Sequence, residues 1–120
     1  MEAAICAGVN RFELEYMGRG PRGTQAFLIG DLLVIRLIGV LTAAEQHLVM
    51  TLPPEKGRDL LKQVRTQLIE AARPSLEKLV LDIIESKVVS FHHDISTRTG
   101  EEILVFALDH APQLRESKRK

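Results

Sequence analysis

The middle of the chain carries one apolar repeat of helical spacing that separates two pairs of strand-like segments. The repeat consists of Leu60, Val64, Leu68, Ala72, Leu76, Leu79 and Ile83. Because it keeps helical phase through Pro74, which removes one N–H and crowds the preceding turn, we expect one long helix kinked there. A helix between two strand pairs predicts an α+β domain built on an antiparallel sheet.

Two short turn sequences predict the two β-hairpins. In TQAFLIGDLLVIRLIGVL, Gly30-Asp31 fits a two-residue turn in which glycine supplies the positive φ of a type II′ turn. Counting from this turn predicts three facing pairs: Leu28 with Leu33, Ala26 with Ile35, and Gln25 with Arg36. The strands KVVSFHHDIS and EILVFALD are joined by residues 97–100, a type I turn closed by a left-handed glycine.

Two further helices are predicted from an apolar stripe and a capping signature. The first helix ends at Gly18 and carries a stripe at spacings of four, three and four: Ile5, Val9, Phe12 and Tyr16. Thr42 and Glu45 form a capping box, so a short helix begins near Ala43 and ends before Pro53. The expected order is α-β-β-α-α-β-β in a single domain over residues 1–111.

Charge and composition exclude several classes of function. The 120 residues contain 16 Lys and Arg and 16 Asp and Glu, so no net charge draws the protein to nucleic acid. The single Cys6 excludes an internal disulfide and a multi-cysteine zinc site, which fits a reducing compartment. No apolar run reaches the ~18 residues of a membrane helix, and no signal segment is recognised. We expect a cytoplasmic protein with a disordered basic tail at 112–120, no nucleic-acid partner and no membrane insertion.

The segment GRGPRG, residues 18–23, matches the glycine pattern G-x-G-x-x-G of nucleotide-binding loops. In a dinucleotide site a strand enters the loop and a helix leaves it, so that helix N–H groups face the phosphates. Here a helix enters and a strand leaves, and Pro21 removes one amide. We therefore interpret the glycines as the turn from the helix into the sheet, and predict no cofactor.

The arginines around this loop form a candidate binding site. The predicted register places Arg36 at the same end of the first hairpin as Arg19 and Arg22. Three neighbouring guanidiniums on a neutral protein could hold a carboxylate, a phosphate or the acidic residues of a partner.

The sequence His92-His93-Asp94 invites a metal or catalytic interpretation. Side chains alternate along a strand, so His93 shares its face with core residues and is expected to be a buried histidine. His92 and Asp94 share the other face, which makes them a candidate functional pair. Further metal ligands would have to come from His47 or His110, and no nucleophile is attached to the pair, so we predict neither a metal site nor a catalytic residue.

The strands are apolar on both faces over residues 32–35 and 103–108, as expected when both sides of a sheet are covered. Either the helices supply both covers, or they cover one face and a second subunit covers the other. A chain with few helices favours the second arrangement. We therefore expect a homodimer, with Ile38 as a candidate contact.

Four segments in order give the chain a family resemblance. They are EYMGRGP (15–21), VIRLIGVLTAAE (34–45), LIEAARPSLEKLV (68–80) and HHDISTRTGEEILVFALD (92–109). Together they resemble the MpsC-like family, small bacterial domains named after a soluble component of a sodium-translocating, membrane-potential-generating system. In that family's pattern a basic residue often stands where this chain has Ile38, and the isoleucine makes the outer strand face more apolar.

The resemblance implies an accessory role beside a membrane complex that moves cations or bicarbonate, and it carries over no catalytic residues. The leading expectation is thus a non-enzymatic accessory or regulatory protein with a membrane ion-transport complex as its partner. A small-anion sensor built on the three arginines is one alternative. A hydrolase using His92 and Asp94 is another.

Overall fold

The computed structural model describes residues 1–112 as an α+β domain, which confirms the predicted fold class. Helix α1 is followed by a π-helical turn, Glu13–Met17, and the order of elements is α-β-β-α-α-α-β-β. Their bounds are α1 Glu2–Phe12, β1 Gly23–Ile29, β2 Leu32–Ile38, α2 Ala43–Thr51, α3 Pro54–Ala71, α4 Arg73–Ile84, β3 Val88–Ile95 and β4 Glu102–Leu108. The predicted basic tail lies outside the described residues except for its first residue, 112.

The four strands form one antiparallel sheet in the order β1-β2-β4-β3. The predicted register of the first hairpin is confirmed at all three facing pairs, and Gly30 has the expected positive φ of 60°. In the second hairpin Gly100 has a φ of 77°, and its N–H donates to the Ser96 carbonyl at 2.8 Å. The residues of the two turns therefore determine which strand residues face each other in both hairpins.

The helix predicted to run through Pro74 is divided in two. Ala72, with φ −90° and ψ 0°, ends α3 and begins α4. The buried face of α3 is formed by Gly57, Leu61, Arg65 and Ile69. The three residues that carried the apolar repeat in this half, Leu60, Val64 and Leu68, lie on the exposed side.

The helices α1, α3 and α4 pack on one face of the sheet and enclose the core with it. Helix α1 also protects the outer edge of β1, since the Glu2 carboxylate accepts a hydrogen bond from the Leu28 N–H at 3.1 Å. The capping box predicted at Thr42 and Glu45 is present and starts α2. Helix α2 packs mainly on α3, so these two helices form a hairpin beside the sheet.

Candidate functional site

A guanidinium and three carboxylates meet between the helices and the sheet. Arg65 of α3 faces Glu13 of the π-helical turn, Glu45 in the first turn of α2, and Glu102 at the start of β4. We call these four residues the Arg65 cluster. It joins four elements that are far apart in sequence, and neither its pairing nor its burial was predicted.

The ion pairs of the cluster differ in length. Arg65 Nη2 lies 2.8 Å from Glu102 Oε1 and 3.6 Å from Glu13 Oε1, while Nη1 lies 3.5 Å from Glu45 Oε2. Glu102 therefore makes the close hydrogen-bonded pair, and the other two carboxylates interact over longer distances. Within the described residues, Glu13 Oε2 and Arg65 Nε are buried and have no hydrogen-bond partner.

Burial controls the electrostatics of the cluster. The side chains of Glu13, Arg65 and Glu102 are almost fully buried, whereas that of Glu45 is 21% exposed. Burial, followed by the charge of Glu102, raises the pKa of Glu13 to about 7 against the attraction of Arg65. Burial also raises the pKa of Glu102. Burial opposes the charge of Arg65, but Glu102 and the other carboxylates hold its pKa above the usual value.

Glu45 links the cluster to the start of α2. Its Oε1 accepts the Thr42 N–H at 2.8 Å, while its Oε2 faces Arg65. The capping box, which the sequence did predict, thus shares its carboxylate with the cluster. The sequence carried one signal for the other three members of the cluster: each is a charged residue at a position where an apolar pattern predicts a buried side chain. Glu13 stands four residues after Val9, and Arg65 lies midway between Leu61 and Ile69. Glu102 alternates with Leu104 and Phe106.

The opposite side of the sheet is apolar along most of β1, β2 and β4, polar along β3 at Ser90, His92 and Asp94, and carries no helix in the described chain. We call it the open face. Its apolar residues are Phe27, Ile29, Leu32, Val34, Ile38, Ile103, Val105 and Ala107. Cross-strand pairing aligns them in rows, for example Phe27 beside Val34 beside Val105, and Ile29 is 62% exposed. Ile38, the predicted contact residue, lies on this face.

The structure gives the three predicted arginines different partners. Arg19 Nη1 donates to the Leu41 carbonyl at 2.9 Å, so this side chain connects the glycine segment to the residues before α2. Arg36 Nε pairs with Glu101. Arg22 packs against Gly39 and, among residues 1–112, has no ion-pair partner; it lines a groove with Arg98.

The three residues of the His-His-Asp sequence also have separate environments. His93 is 8% exposed and its Nε2 lies 2.9 Å from Glu70 Oε2. His92 Nε2 lies 3.3 Å from Ser90 Oγ, whereas Asp94 accepts a hydrogen bond from Lys62 at 2.7 Å. The Lys62 hydrogen bond keeps the pKa of Asp94 below its usual value. The structure therefore does not join His92 and Asp94 by a hydrogen bond.

The chain matches one sequence profile over residues 1–110, that of the family described as "Na+-translocating membrane potential-generating system (MpsC)". The chain belongs to the MpsC family. One relative is "Uncharacterized protein YbcI" of Bacillus subtilis (strain 168), which is 34% identical over 108 residues, covering 90% of this chain and 85% of the relative. No solved structure matches the chain.

Two features are absent from the described part of this MpsC-family chain. In its described part, no helix combines the length and the apolar character needed to cross a membrane. In the same residues, no three or more His, Cys, Asp or Glu side chains are placed to hold a metal ion.

Proposed function

We propose that this MpsC-family chain is a non-catalytic, cytoplasmic accessory protein of a membrane system that translocates cations or bicarbonate. The family description supports the association with a Na+-translocating, membrane-potential-generating system. The observation that carries a binding role is the open face, because contiguous exposed apolar surface of this kind is typical of protein interfaces. Its apolar residues extend over three adjacent strands, and the polar pair Gln25 and Arg36 lies among them.

The first occupant of the open face in this proposal is a second copy of the chain. The apolar rows of β1, β2 and β4 form a surface that another sheet can cover at about 10 Å separation. The charges beside these rows already have partners within the chain, since Arg36 pairs with Glu101 and Asp94 with Lys62. A neutral, apolar surface of the same kind therefore fits better than a charged partner. The resulting homodimer is the unit that associates with the membrane system.

Purification of the chain from its own cells at native expression level tests the accessory role. We expect an ion-translocating membrane subunit to co-purify with the wild type and with Met50→Lys, an exposed control on α2. Phe27→Lys, which places a charge on the open face, should lose that subunit. Absence of any membrane subunit from the wild-type preparation contradicts the accessory role.

A second candidate function, small-anion sensing, is favoured by the groove beside Arg22. The groove has a volume of about 260 Å³, and its polar residues include Arg22, Arg98, Thr97 and Thr99. Two guanidiniums and two hydroxyls are suited to phosphate or bicarbonate, although solvent screening makes such a site weak.

Thermal unfolding at low salt distinguishes this candidate from the accessory role. Phosphate, bicarbonate or a nucleotide should raise the melting temperature of the wild type, and Arg22→Ala or Arg98→Ala should reduce the shift. The control Arg58→Ala removes the same charge at an exposed position of α3 outside the groove, and its shift should equal that of the wild type. An equal shift in all variants rules out the groove as the site.

A further inference from the structure

The Arg65 cluster holds more negative than positive charge, and three of its four side chains are almost fully buried. Glu13, Glu45 and Glu102 face one guanidinium, so full ionisation leaves a net charge of −2. Buried charge without a counter-charge is costly, and a carboxyl group in such a place retains its proton. Only Glu45 is partly exposed, so it provides the side of the cluster nearest to solvent.

Glu13 is the member of the cluster whose geometry best suits a bound proton. It has the longest contact with Arg65, 3.6 Å, and its Oε2 is buried without a partner in the described residues. It also lies in a π-helical turn, a form that is rare and frequently found at functional sites. Glu102, by contrast, has a 2.8 Å hydrogen bond to Arg65 that favours its ionised form.

The α2–α3 hairpin is the element most directly affected by the charge of Glu13. Arg65 and Glu45 belong to this hairpin, whereas Glu13 and Glu102 belong to the π-helical turn and the sheet. Helix α2 contributes no buried residue of its own. Movement of the hairpin away from the turn and the sheet would expose the Glu13 carboxylate to water.

We propose that Glu13 is a proton-binding site that controls the docking of the α2–α3 hairpin. With the proton bound, two carboxylates share Arg65 and the hairpin is docked. After proton release, the ionised and buried Glu13 carboxylate favours opening of the hairpin, because opening restores its hydration, while the attraction of Arg65 opposes it. The charged groups involved come from every element of the cluster: Arg65 from α3, Glu45 from α2 and Glu102 from β4, with His93 of β3 acting on Glu102. This proposal does not depend on the accessory role.

Amide hydrogen exchange at pH 5.5 and pH 8.5 tests the proposal, after correction for the intrinsic exchange rate. In the wild type, the opening that exposes the amides of α2 and the first half of α3 should be at least about tenfold more frequent at pH 8.5 than at pH 5.5. Glu13→Gln, which keeps the size and removes the titration, should abolish this dependence. The control Glu15→Gln removes a carboxylate at an exposed position two residues away and should behave as the wild type.

Three results overturn the proposal: no pH dependence in the wild type, the same dependence in Glu13→Gln, or hairpin amides that open no more often than those of β1 and β2 at pH 8.5. The last would show that the hairpin amides exchange only when the whole domain unfolds, without separate movement of the hairpin. If Glu13→Gln does not fold, the carboxyl ¹³C chemical shift of Glu13 in the wild type, followed as a function of pH, tests the proposal instead. A titration midpoint close to neutrality supports the proposal, and a midpoint below pH 5 contradicts it.

Discussion

At the scale of single residues, the Arg65 cluster places an ionic group where most domains have apolar side chains. Arg65 replaces an apolar residue between Leu61 and Ile69 on the buried face of α3, and Glu13 continues the stripe of Ile5 and Val9. Such groups lose hydration on folding, and their mutual attraction compensates this loss only when the pairing is good. Because Glu13 and Arg65 each keep a buried atom without a partner in the described structure, the cluster lowers stability relative to a fully paired arrangement.

The raised pKa of Glu13 predicts how stability depends on pH. A folded-state pKa of about 7, against the ordinary value of 4.5, means that the folded chain keeps a proton that the unfolded chain releases. The stabilisation is fully present below pH 4.5 and is lost as the pH rises to about 7. The loss amounts to about 3 kcal/mol.

Urea unfolding at pH 5 and pH 8 measures this loss. The wild type and Glu15→Gln should be less stable at pH 8, and Glu13→Gln should remove most of the difference. Glu102, whose pKa is raised in the same direction, accounts for the part that remains. A wild type that is more stable at pH 8 than at pH 5 contradicts the assignment of a raised pKa to Glu13.

At the scale of secondary-structure elements, the sequence predicted the parts of the fold that depend on local chemistry. Gly30-Asp31 and the turn ending at Gly100 determined both hairpins, and the capping box determined the start of α2. The Arg65 cluster was not predictable in this way, because a charged residue within an apolar pattern does not indicate which charged residues of distant elements it will meet. The π-helical turn likewise has no signal in the residues that form it.

Helix α3 shows that periodicity alone does not determine which face of a helix is buried. Leu60, Val64 and Leu68 have helical spacing and yet are exposed, whereas the buried row next to them contains Arg65 and therefore appears less apolar. A helix with two apolar rows can pack on either one, and tertiary contacts make the choice.

Two alanine variants on adjacent positions test this assignment of faces. Leu61→Ala removes a fully buried side chain and should lower the free energy of unfolding by about 2–5 kcal/mol. Leu60→Ala should lower it by less than about 1 kcal/mol, because the side chain is already partly hydrated. Equal losses in the two variants would mean that α3 is rotated relative to the structure.

At the scale of the whole molecule, the chain is a two-layer structure with helices on one side of the sheet and the open face on the other. The sequence indicated that the strands are apolar on both faces, but it left the cover of the second face undecided between helices and another subunit. The structure decides where the helices lie, since α1, α3 and α4 pack on the core face. A covering subunit is the arrangement that we propose.

The mass of the wild type in solution at micromolar concentration, measured by light scattering, tests the open face as an interface most directly. We predict twice the chain mass of 13.4 kDa for the wild type and for the control Met50→Lys. Phe27→Lys and Ile38→Lys should return the chain mass with an unchanged circular dichroism spectrum, because both positions lie on the open face. A wild type of 13.4 kDa would contradict the account.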